Sequence, residues 1–403
     1  MINNIIKLVR EAKDNFGDFV HETPLDYSTT FSKLSGNTIY LKLENLQKTG
    51  SFKIRGALNK INKLNDSEKK NGVVTASAGN HGQAVALSAS LNNIRSTVVI
   101  PESTPIIKAE AIENYGAKVI IHGDNYDEAF DHALKIQKKE GLTFIQAFND
   151  EDVIIGQGTI GLEILEKLPE TDIIIVPVGG GGLISGISSY CKAIKPSIKI
   201  IGVEAAGSPS MYQSLKKGEI IKLKEIKTIA DGIAIKKPGD ITFNIIKELV
   251  DEIVLVDDDE IASAVLLLLE RAKLVVEGSG AVSLAAALKI KEKDKNIVAL
   301  LSGGNIDINL ISRIISRGLN KTGRIFTFTT KVIDKPGALF KLLEIIKNEK
   351  GNILKILHDR NKREVPIQET IVEIELETKD ENHIKKIKDS LVKQGYEIEE
   401  IKY

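Results

Sequence analysis

Cysteine is almost missing from this 403-residue chain: Cys191 stands alone, which excludes an intrachain disulfide and a zinc site built on paired cysteines. An excess of one charge is missing too. The 55 Lys and Arg residues balance 55 Asp and Glu, so nothing marks a strongly basic nucleic-acid binder or an acidic tail protein. Long apolar runs are absent: stretches such as Ile173–Val178 and Val265–Leu269 fall far short of the ~20 residues that cross a bilayer. The opening stretch MINNIIKLVREAKDN carries acidic residues and no signal-type apolar core, so a cytoplasmic location is expected. What is present, 42% hydrophobic and 27% charged residues, suits packed domains rather than disorder.

Residues 38 to about 320 alternate short β-branched runs with stretches of helical period. Expected strands are Thr38–Leu43, Val73–Ala76, Ser96–Ile100, Lys118–Ile121, Ile173–Val178, Lys199–Val203 and Ile297–Leu301. Expected helices include Ile54–Leu64, Gln83–Leu91, Ile106–Tyr115, Tyr126–Lys138, Leu183–Ile194 and Ser279–Ile290. Continuous apolar strands separated by helices imply parallel sheet covered on both faces, here in two α/β lobes with a ligand between them. Near Gly323 the pattern changes to strand Ile325–Val332, helix Ala338–Asn348, strands Ile353–Asp359 and Gln368–Glu377, helix Glu381–Gln394 and strand Tyr396–Lys402. That βαββαβ order is the ferredoxin-like unit, expected as a separate small domain.

Several motifs sit where such folds bind ligands. Lys53, in GSFKIRGA, lies between Phe52 and Ile54, with glycines that let the backbone turn around it. Desolvation disfavours its ammonium form, which a Schiff-base amine requires; a solvated surface lysine is the plainer alternative. SAGNHGQ (Ser77 to Gln83) follows a strand and opens a helix, where backbone N–H groups can meet a carboxylate or phosphate. His81 there is a general base or a structural hydrogen-bonding group. Gly179–Gly182 also joins a buried strand to a helix, so it reads as an anion-binding loop rather than a flexible linker. SGGN (Ser302 to Asn305) ends another apolar strand, at the sheet edge where ligands of open α/β folds bind. GQGTIG contains a literal GxGxxG at Gly156, Gly158 and Gly161, but a poor strand precedes it and no acidic ribose partner follows. It reads as a glycine-rich helix start, not a dinucleotide fingerprint.

SFKIRGA, SAGNHGQ, GGGGL and SGGN, in this order, resemble the fold-type-II pyridoxal-phosphate enzymes, most closely the threonine dehydratase (threonine ammonia-lyase) family. The resemblance covers about residues 5–320 and extends to HETPL (His21–Leu25), LKLENLQKTGSFK (Leu41–Lys53), ADGIA (Ala230–Ala234) and VVEGSGA (Val275–Ala281). The tail resembles an ACT domain, with IDKPGAL (Ile333–Leu339) matching its strand-to-helix ligand loop. The implied organisation is a catalytic part, 1–322, whose smaller lobe (about 45–155) is inserted in the larger, and a regulatory part, 325–403.

The resemblance implies pyridoxal 5'-phosphate as cofactor. By it, Lys53 bonds the cofactor covalently and serves as the base, and Phe52 lies against the ring. Asn80 meets the ring hydroxyl, the N–H groups of Gly179, Gly180, Gly181, Gly182 and Leu183 hold the phosphate, and Ser302 meets the pyridine nitrogen. The loop Ser77, Ala78, Gly79, Asn80 and His81 receives the substrate carboxylate. The implied reaction is α,β-elimination of threonine, and of serine, to a 2-oxo acid and ammonia. Relatives that act as serine racemases carry a second serine where this chain has Ala78, which disfavours racemisation. Glu204 fits one position of their divalent-cation site, but Ser210 stands at the other, which leaves the metal open and favours a monovalent cation over magnesium. Asp334, Pro336 and Gly337 are the implied effector loop. The alternatives are a serine racemase, another elimination or replacement enzyme, or a non-catalytic amino-acid sensor. A homo-oligomer, dimer or tetramer, is expected, because a ferredoxin-like sheet leaves one face and one edge open. Neither nucleic acid nor a membrane is an expected partner.

Overall fold

A computed structural model of the protein describes residues 3–360 and 366–401. The chain divides into two compact units, one running to Ile306 and the other starting at Asp307.

The first unit carries strands β1 (Leu25–Tyr27), β2 (Thr38–Leu43), β3 (Val73–Ala76), β4 (Ser96–Ile100), β5 (Lys118–Ile121), β6 (Thr143–Phe144), β7 (Ile173–Pro177), β8 (Lys199–Ala205), β9 (Glu252–Val256) and β10 (Asn296–Leu301). They form a six-stranded sheet, β1-β2-β10-β7-β8-β9, and a four-stranded sheet, β5-β4-β3-β6. All neighbours are parallel except the edge pair β1–β2. Strands β3 to β6 fall between β2 and β7 in sequence, so the smaller sheet interrupts the larger one. β7 is buried throughout and β10 nearly so, as strands covered by helices on both faces must be.

Seven expected strands and six expected helices of this unit form, with ends shifted by at most a few residues. The three remaining strands, β1, β6 and β9, were not expected. The GxGxxG stretch is not a helix start: Gly156, Gly158 and Gly161 lie inside the helix Glu151–Lys167, which packs against the helices Lys53–Asn62 and Gly182–Ile194. A Cβ at Gly156 would come within 2.4 Å of the Arg55 carbonyl, and one at Gly161 within 2.8 Å of Cys191 Sγ. The glycines therefore serve close helix packing. With no strand-to-helix turn, the stretch cannot cradle a dinucleotide.

The second unit opens with the helix Ile308–Lys321 and continues as β11 (Ile325–Ile333), the helix Ala338–Asn348, β12 (Asn352–Asp359), β13 (Glu369–Glu377), the helix Glu381–Lys393 and β14 (Glu399–Glu400). The sheet order is β12-β13-β11-β14, fully antiparallel. Phe328, Leu342, Ile346, Val372, Ile374, Ile387 and Leu391 fill its core. The expected last strand, Tyr396–Lys402, shortens to Glu399–Glu400; Lys402 lies outside the described residues. Tyr396 and Ile398 pack against the core before the ladder begins.

Candidate active site

Lys53 is presented by a turn that depends on Gly50, whose φ of +69° favours glycine. Ser51 pairs with Gly303 across an antiparallel bridge. The Phe52 N–H donates to the Ser302 carbonyl (3.1 Å), and the Gly304 N–H to the Gly50 carbonyl (2.8 Å). The lysine loop and the loop after β10 are thus stitched together. Lys53 Nζ donates to the Ala147 carbonyl at 3.2 Å and lies 5.1 Å from the centroid of the Phe52 ring. Burial pushes its pKa down to about 8, against the attraction of Glu277.

The segment after β3 turns into the helix Asn80–Leu91, capped by no side chain. The Gly79 N–H donates to Ser77 Oγ at 3.3 Å, and Ala78 packs beside the cluster of Ala86, Val98 and Ile100. His81 is buried and donates from Nε2 to the Ile145 carbonyl (3.0 Å), since a carbonyl only accepts. Burial and then Lys53 push its pKa down to about 3, so the ring stays neutral. Ser77 to His81 form one continuous loop and helix start.

The Gly179–Gly182 loop leads from β7 into the helix Gly182–Ile194, which also has no side-chain cap. A Cβ on Gly180 would lie 2.3 Å from the Phe148 ring, and one on Gly182 would lie 2.8 Å from Phe148 Cα. Phe148 follows Ala147, the residue that accepts from Lys53. One short segment therefore ties the lysine to the glycine loop, a link no sequence motif signalled. Ser302 is buried at the end of β10, with Oγ donating to the Ser279 carbonyl at 3.3 Å.

Glu204 is joined to the glycine loop through Met211, whose Cε would lie 3.0 Å from a Cβ on Gly181. Its two oxygens accept the N–H groups of Met211 (2.9 Å) and Tyr212 (2.7 Å), at the start of the helix Ser210–Lys217. Burial pushes its carboxyl up to about 7 despite those bonds. Among the described residues, no group of three or more His, Cys, Asp or Glu could hold a metal ion. In the second unit, Asp334 accepts from Arg360 Nε at 3.1 Å, and Gly337, at φ +85°, caps the helix Ala338–Asn348. Pro336 lies between them.

Two further polar residues join the site although no role was read for them. Glu277 is buried, and its Oε1 accepts from Asn80 Nδ2 (2.9 Å) and Ser279 Oγ (2.7 Å). Burial pushes it up to about 7, with Asp231 adding to the rise and Lys108 opposing it. Asn305 donates to Asn80 Oδ1 at 2.6 Å. Both residues sit in stretches that were legible, VVEGSGA and SGGN. The signal available was a lone acid ahead of a small-residue helix start.

A lysine, two uncapped helix starts and a neutral serine at the carboxyl ends of parallel strands define a site for an anionic, carbonyl-bearing cofactor. Residues 17–303 match the family described as pyridoxal-phosphate dependent enzyme, and the chain belongs to it. Its fold is that of the fold-type-II members. The L-threonine ammonia-lyase of Thermotoga maritima is 51% identical over 391 residues, covering 97% of this chain and 98% of the relative. That of Geobacter sulfurreducens is 48% identical over 397 residues, covering 98% and 99%. Among solved structures, the processed form of threonine deaminase isoform 2 from Solanum lycopersicum superposes with a TM-score of 0.75 at 39% identity, covering 78% of this chain and 94% of that one. Maize serine racemase gives 0.74 at 40%, covering 78% and 98%.

The residues present fit pyridoxal phosphate. Phe148 leaves no room for side chains at Gly180 and Gly182, no side chain caps the helix start that follows, as phosphate binding there requires, and the desolvated Lys53 amine suits a carbonyl partner.

Proposed function

We propose that the protein is a threonine ammonia-lyase that converts L-threonine to 2-oxobutanoate and ammonia and also accepts L-serine. The observation that carries this reading is the 51% identity, over nearly the whole of both chains, to the L-threonine ammonia-lyase of T. maritima. When bound, pyridoxal phosphate supplies the electron sink that lets the α-proton depart and the β-hydroxyl leave. The chain supplies position and proton handling. Lys53 anchors the cofactor; as a free amine with a pKa near 8, roughly one molecule in ten is neutral at pH 7 and able to take a proton at Nζ. The N–H groups from Gly179, Gly180, Gly181, Gly182 and Leu183 hold the phosphate, Phe52 lies against the ring and Asn80 bonds the ring hydroxyl. Ser302 meets the pyridine nitrogen as a neutral partner, which holds no proton there by charge. Ser77, Ala78, Gly79, Asn80 and His81 receive the substrate carboxylate.

Ala78 has no proton to exchange on the opposite face of the substrate, which favours lyase over racemase. The test is to give the loaded enzyme L-threonine and L-serine separately and follow 2-oxo acids and D-serine. Rapid 2-oxobutanoate formation with little D-serine supports the reading. D-serine as the main product from L-serine replaces it with a racemase.

The same reading makes residues 1–322 the catalytic part, with a smaller lobe of about 45–155, and residues 325–403 an ACT-type regulatory part. Support for the latter is its four-stranded βαββαβ arrangement, whose loop Asp334, Pro336 and Gly337 would bind an amino-acid effector. Glu204, whose two oxygens each accept one backbone N–H, keeps further lone pairs that would serve a monovalent cation. The enzyme works in the cytoplasm as a homo-oligomer.

A further inference from the structure

The amide of Asn80 is gripped on both sides. Asn305 Nδ2 donates to the Thr49 carbonyl at 2.8 Å and to Asn80 Oδ1 at 2.6 Å, while Asn80 Nδ2 donates to Glu277 Oε1 at 2.9 Å. Only one sense of this chain is allowed. The Thr49 carbonyl can only accept, so it fixes the NH₂ group of Asn305 toward itself, and the second N–H of that group then requires an acceptor at Asn80. Turning the Asn80 amide over would set two NH₂ groups against each other and an amide oxygen against a carboxyl oxygen. Ser279 Oγ donates to the same Glu277 oxygen at 2.7 Å and steadies the carboxyl.

The packing leaves no slack. A Cβ at Gly50 would lie 2.4 Å from Asn305 Oδ1, one at Gly303 2.5 Å from Glu277 Oε1, and one at Gly232 2.5 Å from Ser279 Oγ. Asn80 follows β3 of the smaller sheet, whereas Glu277 and Asn305 flank β10 of the larger. The chain of bonds therefore spans the two sheets of the first unit. It uses one N–H and one lone pair of Asn80, leaving the other N–H available to a ligand.

We infer that Thr49, Asn305 and Glu277 form a relay that fixes the direction of the Asn80 amide, with Glu277 as a positioning residue for the proposed reaction. This rests on the reading of Asn80 as the residue that meets the cofactor ring hydroxyl. Without Glu277, the amide is oriented by the Asn305 arm alone and loses the partner that clamps its Nδ2, so its free N–H is no longer held in place for the ring oxygen.

The test uses the full-length chain, with pyridoxal phosphate titrated into the cofactor-free protein while affinity and the visible absorption maximum are recorded. Glu277→Met should weaken cofactor binding by about 10- to 100-fold, the range for losing a hydrogen bond to a charged group, and shift the maximum. Glu277→Gln, which keeps an acceptor, should recover most of the loss. Asn80→Ala should weaken binding similarly, and adding Glu277→Met to it should cost little more, because the two act through one amide. Asn305→Ala, on the other arm, should repeat the pattern and keeps the test decisive if Glu277→Met does not fold. If Asn80→Ala weakens binding but the second substitution adds its full loss, the relay is wrong while the role of Asn80 stands. If Asn80→Ala changes neither affinity nor spectrum, the assignment of Asn80 falls and the relay with it.

Discussion

Arg55 and Glu163, 108 residues apart in the chain, form a forked ion pair with Nη1–Oε1 at 2.6 Å and Nη2–Oε2 at 3.0 Å. The other edge of the guanidinium grips Glu44, from Nε and from Nη2, at 2.8 Å each. Lys42 completes the group with 2.6 Å to Glu163. All four side chains are buried, and two cations balance two anions. Burial opposes the charge on Arg55, but Glu44 and Glu163 override it and raise its pKa. Arg55 sits two residues beyond Lys53, so the cluster pins the helix that presents the lysine to β2 and to the helix Glu151–Lys167.

Removing one member of such a cluster strands its partners. Arg55→Ala should destabilise the protein by about 3–5 kcal/mol, because two carboxylates lose their counter-ion in a dry site. Denaturant unfolding against the parent measures it. A loss under about 1 kcal/mol would show that water reaches the cluster and screens it.

The depressed pKa of Lys53 gives a kinetic signature. A neutral amine is the nucleophile, so capture of pyridoxal phosphate by the cofactor-free protein should speed up as pH rises and level off above about 8, not above the 10.5 of an ordinary lysine. Stopped-flow absorbance across that range reads it directly. A rate still climbing at pH 10 would place the lysine in water.

Glu204 bears on stability. Its folded pKa is near 7 against a reference value of 4.5, so the folded state holds the extra proton between those values. Its contribution is complete below about pH 4.5 and is lost as pH rises through about 7. Glu204→Gln should flatten the stability–pH curve across that window. An unchanged curve from urea melts at several pH values would remove Glu204 as a source of the slope.

How much of this was legible follows the physics of each element. The strands of the two parallel sheets announced themselves because burial on both faces leaves uninterrupted apolar runs, as in β7 and β10. The exposed edge strand β1 and the two-residue β6 carry no such run and went unseen, while β9, half-buried at the other edge of the sheet, was missed despite its apolar stretch Ile253–Val256. Asn80, the glycine loop and Ser302 stood out as candidates because each follows a strand's carboxyl end in a small-residue turn, and Lys53 because glycines and apolar neighbours flank it at a helix start. Phe148, Glu277 and Asn305 had no role read for them, because their roles arise only when distant loops meet. The glycines of the helix Glu151–Lys167 imitate a phosphate loop in spacing and were rightly set aside as one, but they were placed at a helix start, whereas they lie within the helix and serve close packing.

Ser302 tests the tuning of the site. Ser302→Asp should keep the cofactor but lower the elimination rate by at least about tenfold, since a carboxylate there favours a protonated pyridine and side reactions such as transamination. Rate and product analysis decide it. An unchanged rate and product spectrum would mean that Ser302 does not face the ring nitrogen.

In the second unit, an amino acid bound at Asp334 and Gly337 should change activity with a coupling free energy of about 1–3 kcal/mol. The full chain assayed with isoleucine or valine should respond, and Asp334→Ala should blunt the response. If no candidate binds or alters the rate, the effector reading of this loop fails.

The most direct measurement concerns Lys53 itself. Loaded wild-type protein and Lys53→Ala, both confirmed as folded, are given L-threonine, and 2-oxobutanoate and ammonia are quantified together. The expected result is equimolar release of both by the wild type and none by the variant. Equal production by the two proteins, or none by a wild type that holds its cofactor, would contradict the assignment of Lys53 as anchor and base of a threonine ammonia-lyase.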